Sequence, residues 1–153
     1  MVIMKEHRIS AAAIVLHNDK ILLVRYHNPK GQSFLVGPGG GVQGEESMPQ
    51  AIIREVEEET GIEVRPTKML FVEEILSKRH RMVKTWFLCE FIDGELLETE
   101  DAKDEGIIEV CWYKKEQLTN EIVYPEILKE IDWTKFKEKN WELEYLGIHK
   151  ADF

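Results

Sequence analysis

Three glutamates in one short segment are spaced so that their carboxylates could act together. At about 100° per residue, a helix would bring Glu55, Glu58 and Glu59 into one sector of about 100°. Like charges at these spacings repel one another and destabilise an isolated helix. Arg54 lies four residues before Glu58 and can offset part of that repulsion. The spacing therefore predicts a crowded acidic face that needs a positive partner.

Carboxylates without a neighbouring histidine or cysteine favour hard divalent cations. Mg²⁺ and Mn²⁺ take oxygen ligands, and the five histidines of this chain are scattered without metal-ligand spacing. Glycines are concentrated just upstream, between Gly37 and Gly44, where they would let a main chain approach a site closely. A run of glutamates taken alone is more often a solvated surface. The residue types therefore leave both a metal site and a solvated face open.

The segment from Gly40 to Ile62 resembles the signature of the Nudix hydrolase family. That signature is G-x5-E-x7-R-E-U-x-E-E-x-G-U, with U aliphatic, and every specified position matches here. Beyond it, the order of elements and the spacing Glu105-x3-Glu109-x2-Trp112 are similar to the family. The resemblance implies an α/β fold, the Nudix α/β/α sandwich with a mixed central sheet, as a single domain over residues 1–153.

The resemblance also implies an enzyme of the MutT-like kind. It would use Mg²⁺ or Mn²⁺ to cleave the diphosphate bond of a nucleoside diphosphate linked to another group, a small-molecule partner whose identity the sequence leaves open. One alternative is a Nudix-fold sensor that binds nucleotide without turnover. Another is an isomerase or a non-nucleotide hydrolase on the same scaffold. The intact signature argues against the sensor, which does not need all three carboxylates.

Metal ligands follow from the resemblance position by position. It makes Glu55, Glu58 and Glu59 ligands, together with the carbonyl oxygen of Gly39, and it has Arg54 orient Glu58. The cations would neutralise the diphosphate and help to ionise a water that attacks one phosphorus.

A general base is also expected, and several carboxylates compete for that role. It would be Glu55 or an acid from the very acidic segment 93–105. Glu105 is the leading candidate because it ends that segment just before a strand, and Asp104 and Glu109 are the alternatives. Each of these acids could instead be a solvated loop charge.

Two positions depart from the usual family pattern, and one acid has two interpretations. Gly37 stands where the family often has Leu or Phe, and Glu45 stands where Gly is common. Both changes could alter the loop without touching the ligands. Glu46 is expected to brace the loop against the helix, with metal ligation as the alternative.

Four residues outside the signature are candidates for substrate binding. Arg79 and Arg81 belong to the cationic run 78–81 of an acidic protein, which is either a clamp on phosphates or a solvated hairpin tip. Arg25 ends a strand near the glycine loop and would contact a phosphate or pair with a surface acid. Trp86 would stack on a base or lie in the core.

Strand and helix patterns place these residues. Apolar runs separated by turn residues predict strands at 9–17, 20–27, 34–36, 68–76, 82–92 and 107–113. Asn18-Asp19 predicts a hairpin turn, and the acidic segment 93–105 is expected to be loop. Ser47 and Gln50 form a capping box, and Gly61 is a natural stop, so a helix is predicted over 48–60.

The C-terminal third is predicted to be helical over 117–129, with Pro125 as a kink or boundary. Four aromatic residues suggest that the tail packs on the domain: Trp133, Phe136, Trp141 and Tyr145. Cys89 and Cys111 lie in apolar strands and are expected to be buried free thiols.

Composition excludes several broad classes. The formal net charge of −9 argues against general binding to nucleic-acid backbones, so no stable nucleic-acid partner is expected. No apolar run approaches the roughly 20 residues that span a bilayer. No targeting signal is recognised at the N-terminus, which favours a cytoplasmic protein. Many members of the resembled family are dimers, and the sequence leaves a homodimer open.

Overall fold

A mixed β-sheet with a helix packed on one face organises the molecule. The computed structural model describes residues 2 and 4–151. The strands in this part of the chain are β1 (Glu6–His17), β2 (Lys20–His27), β3 (Ser33–Val36), β4 (Gly39–Gly41), β5 (Ile62–Leu76), β6 (His80–Gly94), β7 (Glu109–Tyr113), β8 (Val123–Tyr124) and β9 (Glu144–Lys150). Their order is β8-β3-β2-β1-β6-β5-β9, with β4 beside β1 and β7 beside β2. Strand β1 is parallel to β6 and antiparallel to β2, so the predicted mixed sheet is confirmed.

Local sequence signals account for the first hairpin. Asn18 and Asp19 adopt φ of 51° and 61° between β1 and β2. Two consecutive positive φ angles are required by the hairpin turn whose twist matches that of the flanking strands, and Asn and Asp tolerate them better than most residues. The predicted turn is therefore confirmed.

The long helix α1 (Met48–Thr60) has the predicted bounds. The Ser47 side chain accepts a hydrogen bond from the Gln50 N–H, and the Gln50 side chain reaches back to the backbone of Ser47. Gly61 ends the helix at φ 80°, and its N–H donates to the carbonyl of Glu57. Both ends are therefore set by residues next to the helix, which explains why the sequence alone located them.

Two apolar clusters lie on opposite faces of the sheet. On one face, Ile52 and Val56 of α1 pack against β1 residues such as Ala13. On the other, Phe71 and Trp86 pack with residues of the C-terminal third, including Phe136. The sheet is thus covered on both sides, as the predicted sandwich requires. Helices in the described residues are too short or too polar to cross a membrane.

The predicted helix over 117–129 is wrong. The chain forms two 3₁₀ turns there, Lys115–Leu118 and Glu126–Lys129, separated by the short strand β8. Pro125 explains the break, because the residue before a proline is pushed from the helical towards the extended conformation, and Tyr124 is indeed extended. A third 3₁₀ turn follows at Trp133–Lys137.

The acidic segment is not entirely loop, contrary to expectation. It contains a short helix, α2 (Glu100–Asp104), whose N-cap Thr99 accepts from the N–H of Ala102. Ala102 is buried against the main core. One buried alanine and one cap therefore order a stretch whose charge had predicted a solvated loop.

The C-terminal aromatic residues mostly pack on the domain as expected. Phe136 is fully buried, and its ring lies 5.7 Å from that of Phe71 in an edge-on contact. Trp141 donates from its indole N–H to the carbonyl of Leu70 at 3.3 Å. Tyr145 differs, since 60% of it remains exposed.

Both cysteines are free thiols. Cys89 is buried as expected, whereas Cys111 is only half-buried, contrary to the expectation for both. Burial raises the pKa of Cys89 to about 12, so that thiol stays protonated and chemically quiet.

Candidate active site

Arg54 is the centre of an ion-pair network on the acidic face of α1. Its guanidinium binds both carboxylate oxygens of Glu46, at 2.6 and 3.0 Å. It also donates to Glu55 at 2.8 Å, to Glu58 at 3.2 Å and to the carbonyl oxygen of Gly41 at 3.1 Å. The counter-charge expected from the spacing is therefore present, and it contacts Glu58 as predicted. One cation joins the helix to the glycine-rich loop.

Glu46 has the contacts of a loop anchor. Besides its two bonds to Arg54, it accepts the backbone N–H of Gln43 at 2.8 Å. The Arg54 guanidinium holds the pKa of Glu46 below its usual range. These contacts match the first of the two interpretations of this residue, in which it braces the loop.

Glu55 and Glu59 are buried, unlike the other acids of this helix face. They are 6% and 1% exposed, and Glu59 Oε2 accepts the backbone N–H of Gly39 at 3.3 Å. The pKa of Glu59 is raised to about 9, chiefly by burial and also by the charges of Glu55 and Glu105, while the Gly39 hydrogen bond opposes the shift. Two acids held this close in a dry environment favour a positive partner.

Glycine is required where strand β4 crosses these acids. A Cβ on Gly40 would lie 2.6 Å from the carboxyl carbon of Glu55, and one on Gly39 would lie 2.4 Å from the carbonyl oxygen of Ala11. Nothing lies within 4 Å of a Cβ built on Gly41. Gly40 thus allows the main chain to approach the Glu55 carboxylate, as its position in the sequence suggested, whereas Gly39 allows β4 to lie close to β1.

Only part of the predicted metal-ligand set converges. Glu59 accepts the backbone N–H of Gly39 and Glu55 lies against Gly40, whereas the side chain of Glu58 is 42% exposed. As the side chains stand, residues 2 and 4–151 contain no group of three acidic, histidine or cysteine side chains positioned to hold a metal ion. The donors nevertheless fit a hard cation chemically, because they are carboxylate oxygens crowded together under burial.

Helix α2 docks on α1 and brings Glu105 towards this site. The Thr99 hydroxyl donates a short hydrogen bond to the carbonyl of Glu58, and the N–H of Leu97 donates to the carbonyl of Thr60 at 3.0 Å. Glu105 caps the far end of α2, close enough for its charge to raise the pKa of Glu59. The leading candidate for the general base is therefore a neighbour of the buried acids.

The alternative bases have different surroundings. Glu109 accepts a short hydrogen bond from the hydroxyl of Tyr113, and its carboxylate lies 4.0 Å from the guanidinium of Arg25. Asp104 is exposed. Neither has a described contact with the buried acids Glu55 and Glu59.

Arg25 lies in an ion pair rather than at an open phosphate position. Its guanidinium forms two bonds to Glu121, at 2.9 and 3.0 Å, and further bonds to Ser33 at 2.8 Å and to Tyr113 at 3.2 Å. Glu121 is 96 residues away along the chain. Of the two alternatives for Arg25, the geometry therefore supports pairing with an acid of the protein.

The cationic run occupies the tip of the β5–β6 hairpin, as expected for either interpretation. Arg81 pairs with Glu74 through a short contact, and His80 lies 3.2 Å from Glu6. Arg79 is exposed. Its contact with substrate phosphates stays a prediction.

Trp86 lies in the core, which is the alternative to base stacking. It is fully buried, and its indole N–H donates to Glu73 at 3.1 Å. The ammonium of Lys84 sits 4.4 Å from the ring centroid, and a Cβ on Gly37 would lie 2.7 Å from the ring. The departure from the family pattern at Gly37 therefore makes room for this tryptophan, which has no free face for a base.

Sequence reasoning missed Tyr26 and Lys84. Burial raises the pKa of Tyr26, and the charges of Glu59, Glu105 and Glu55 also raise it. Burial lowers the pKa of Lys84, and Glu73 and Glu59 oppose that shift. Position was the available signal for Tyr26, since it follows Arg25 at the end of a strand next to the glycine loop.

Known proteins resemble the chain at the level of family and fold. The family model described as NUDIX domain matches residues 6–133.

An ADP-ribose pyrophosphatase of Methanocaldococcus jannaschii is 30% identical over 98 residues, which cover 63% of this chain and 58% of that protein. The 8-oxo-dGDP phosphatase NUDT18 of Danio rerio is 31% identical over 134 residues, which cover 87% of this chain and 40% of that protein. The chain thus spans about half the length of these two relatives. The crystal structure of a NUDIX hydrolase from Nitrosomonas europaea superposes with a TM-score of 0.68 at 17% identity, covering 96% of this chain and 82% of that one, which supports the fold.

Proposed function

Because this chain belongs to the NUDIX domain family, we propose that it is a hydrolase that cleaves the diphosphate linkage of a nucleoside diphosphate derivative. The observation that carries the proposal is the pair of buried acids, Glu55 and Glu59, held against the glycine strand β4 with Arg54 at their side. Two relatives support the substrate class, since their names describe a pyrophosphatase acting on ADP-ribose and a phosphatase acting on 8-oxo-dGDP.

Mg²⁺ or Mn²⁺ is the proposed cofactor. Glu55, Glu58 and Glu59 would hold it, together with the carbonyl oxygen of Gly39. When bound, the cation supplies positive charge opposite the diphosphate oxygens and makes a water molecule more acidic. The support for this choice is the donor set, which consists of oxygen atoms alone.

The chain's own residues hold the site in shape and move the proton. Arg54 orients Glu58 through its 3.2 Å contact and fixes the loop through Glu46. We propose that Glu105 accepts the proton of the attacking water; its position at the end of α2, from where its charge raises the pKa of Glu59, supports this role. Glu55, Asp104 and Glu109 are the alternatives for this role.

Arg79 and Arg81 are proposed to contact substrate phosphates from the hairpin tip. Arg25 and Trp86 are left out of the proposed site, since four hydrogen bonds engage the Arg25 guanidinium and Trp86 is buried. A cytoplasmic location belongs to the same proposal, because free thiols are typical of a reducing compartment.

A substrate panel tests the proposal. ADP-ribose, 8-oxo-dGDP, nucleoside triphosphates, dinucleoside polyphosphates and 5′-triphosphate RNA would be incubated with the protein and Mg²⁺ or Mn²⁺, and nucleotide products would be separated and measured. We expect hydrolysis of at least one compound at the diphosphate, abolished by EDTA. Nucleotide binding without turnover across the panel would favour a sensor and contradict the proposal.

A further inference from the structure

An aromatic cluster with one open end lies beside the candidate active site. The ring of Tyr26 stacks on that of Phe34, with centroids 5.6 Å apart and planes at 20°. Phe34 in turn meets Tyr124 edge-on, at 5.6 Å and 72°. Tyr26 and Phe34 are half-buried, whereas Tyr124 is 44% exposed. We call these three side chains the aromatic platform.

Backbone register holds the aromatic platform together. Tyr26 and Phe34 are direct partners across the antiparallel pair β2–β3. The N–H of Leu35 donates to the carbonyl of Ile122 at 2.8 Å, which fixes the segment carrying Tyr124 beside β3. Backbone pairing between strands therefore fixes the positions from which the three rings extend.

Tyr26 links the aromatic platform to the segment that carries Glu105. The N–H of Ile108 donates to the carbonyl of Arg25 at 2.8 Å, so the connection between α2 and β7 runs next to Tyr26. That connection begins at Glu105, whose charge acts on the Tyr26 phenol together with those of Glu59 and Glu55. In the part of the chain that the structure describes, no residue hydrogen-bonds to the Tyr26 hydroxyl. The phenol is thus free to bind a ligand group.

From this placement we propose that the aromatic platform binds the planar base of the substrate's nucleoside. The inference rests on the proposed function for the position of the diphosphate, which would lie at the Tyr26 end. Stacking on aromatic rings accepts any base because every base has a π-face. Tyr26 and Phe34 alone could be a cross-strand pair that merely stabilises the sheet. The exposed ring of Tyr124 and the nearby acids favour a ligand.

Nucleoside monophosphates and ribose 5-phosphate make a matched pair of probes. They share the sugar and the phosphate and differ in the base, so the ratio of their Kd values isolates base binding. With AMP, GMP, CMP and UMP measured by titration calorimetry, we expect at least one to bind at least about fivefold more tightly than ribose 5-phosphate. Tyr124→Leu should reduce that ratio by about fivefold or more, because the stacking face is lost.

Two further variants make the result specific. Tyr124→Phe keeps the ring and should keep the ratio. Tyr145→Leu removes another exposed tyrosine, on the edge strand β9, and should also leave the ratio unchanged. Thermal unfolding of each variant would check the fold, which Tyr124→Leu should preserve because Tyr124 is 44% exposed.

The outcomes separate this inference from the proposed function. Equal binding of nucleotides and ribose 5-phosphate by the wild type would overturn the proposal that the aromatic platform binds the base. An unchanged ratio in Tyr124→Leu would also overturn it. Monophosphate binding requires no turnover. A platform confirmed in a protein that hydrolyses nothing in the substrate panel would overturn the hydrolase proposal and leave the base site standing.

Discussion

Glu59 and Gly39 are joined by a hydrogen bond in which the buried carboxylate accepts the backbone N–H of the glycine at 3.3 Å, across 20 residues of sequence. The bond ties the last turn of α1 to strand β4. At the next position, β4 passes so close to the second buried acid that a Cβ on Gly40 would lie 2.6 Å from the carboxyl carbon of Glu55. The contact between helix and glycine strand is therefore the feature on which the site depends.

The first prediction concerns the space above Glu55. In Gly40→Ala the new Cβ would meet the carboxyl carbon of Glu55 at 2.6 Å, so the acid or the strand must move. We expect a loss of stability of about 1–3 kcal/mol, as for other overpacked positions, and a fall in kcat of at least about tenfold. Urea unfolding and steady-state kinetics would measure both.

Gly41→Ala is the matched control for this change. It lies on the same strand, has open space around its Cβ position, and should change stability by no more than about 0.5 kcal/mol. Equal behaviour of the two variants would show that the close approach has no role in the site.

The second prediction tests Glu58 as a ligand. Glu58→Gln keeps the shape and the contact with Arg54 but removes the charge. We expect kcat to fall by at least about 10²-fold, because stabilisation of transition-state charge by a metal contributes several kcal/mol. Glu57→Gln, at an exposed position on the same helix, should turn over normally. Near wild-type turnover of Glu58→Gln would remove this residue from the site.

The sequence predicted the features that neighbouring residues determine, and it missed those that depend on distant contacts. The bounds of α1 were predictable because Ser47, Gln50 and Gly61 act within one turn of its ends. The acidic face followed from helical spacing in the same way. Pro125 marked a boundary within 117–129, but the 3₁₀ turns on either side of it were not predictable locally, since they depend on the burial of Leu118 and Leu128 in the main core.

The same division applies to the candidate site. Arg25 could pair with a phosphate or an acid, and the choice depends on Glu121, which lies in a distant loop. Tyr26 gave no chemical signal of its own, because its proximity to Glu105 arises from the docking of α2. Contacts between remote segments, rather than motifs, decide which of these side chains meet the acids.

The third prediction concerns the hairpin tip. If Arg79 and Arg81 hold substrate phosphates, replacing both with alanine should raise KM by at least about tenfold, since a hydrogen bond to a charged group contributes about 1.5–3 kcal/mol. Added salt should weaken substrate binding to the wild type, because it screens the attraction between the arginines and the phosphates. Arg65→Ala removes an exposed arginine paired with Glu90 and serves as the control. An unchanged KM in the double variant would identify the hairpin as an ordinary solvated turn.

The last prediction concerns the stability of the protein without metal. Burial raises the pKa of Glu59 to about 9, whereas the unfolded chain has an ordinary value near 4.5. Between these values the unfolded state releases a proton that the folded state retains, so rising pH favours unfolding by up to about 1.4 kcal/mol per pH unit. Glu59→Gln does not titrate, and its side-chain oxygen can still accept the Gly39 N–H. In EDTA it should therefore melt above the wild type, with a difference that grows from pH 5 to pH 8.

Millimolar Mn²⁺ should reverse this advantage. An ion bound by the folded acids and not by the unfolded chain stabilises the wild type by RT ln(1 + [L]/Kd), about 2.7 kcal/mol at a hundredfold excess over Kd. Glu59→Gln has lost one ligand and should gain less. Thermal unfolding of both proteins at pH 5 and pH 8, with EDTA or Mn²⁺, measures the effects of pH and of the metal ion on stability.

If the wild type melts at the same temperature with EDTA and with Mn²⁺, the acids do not bind the ion. If the EDTA difference between the two proteins is also independent of pH, Glu59 is not a destabilised acid, because a carboxyl with an ordinary pKa would make no pH-dependent contribution over this range.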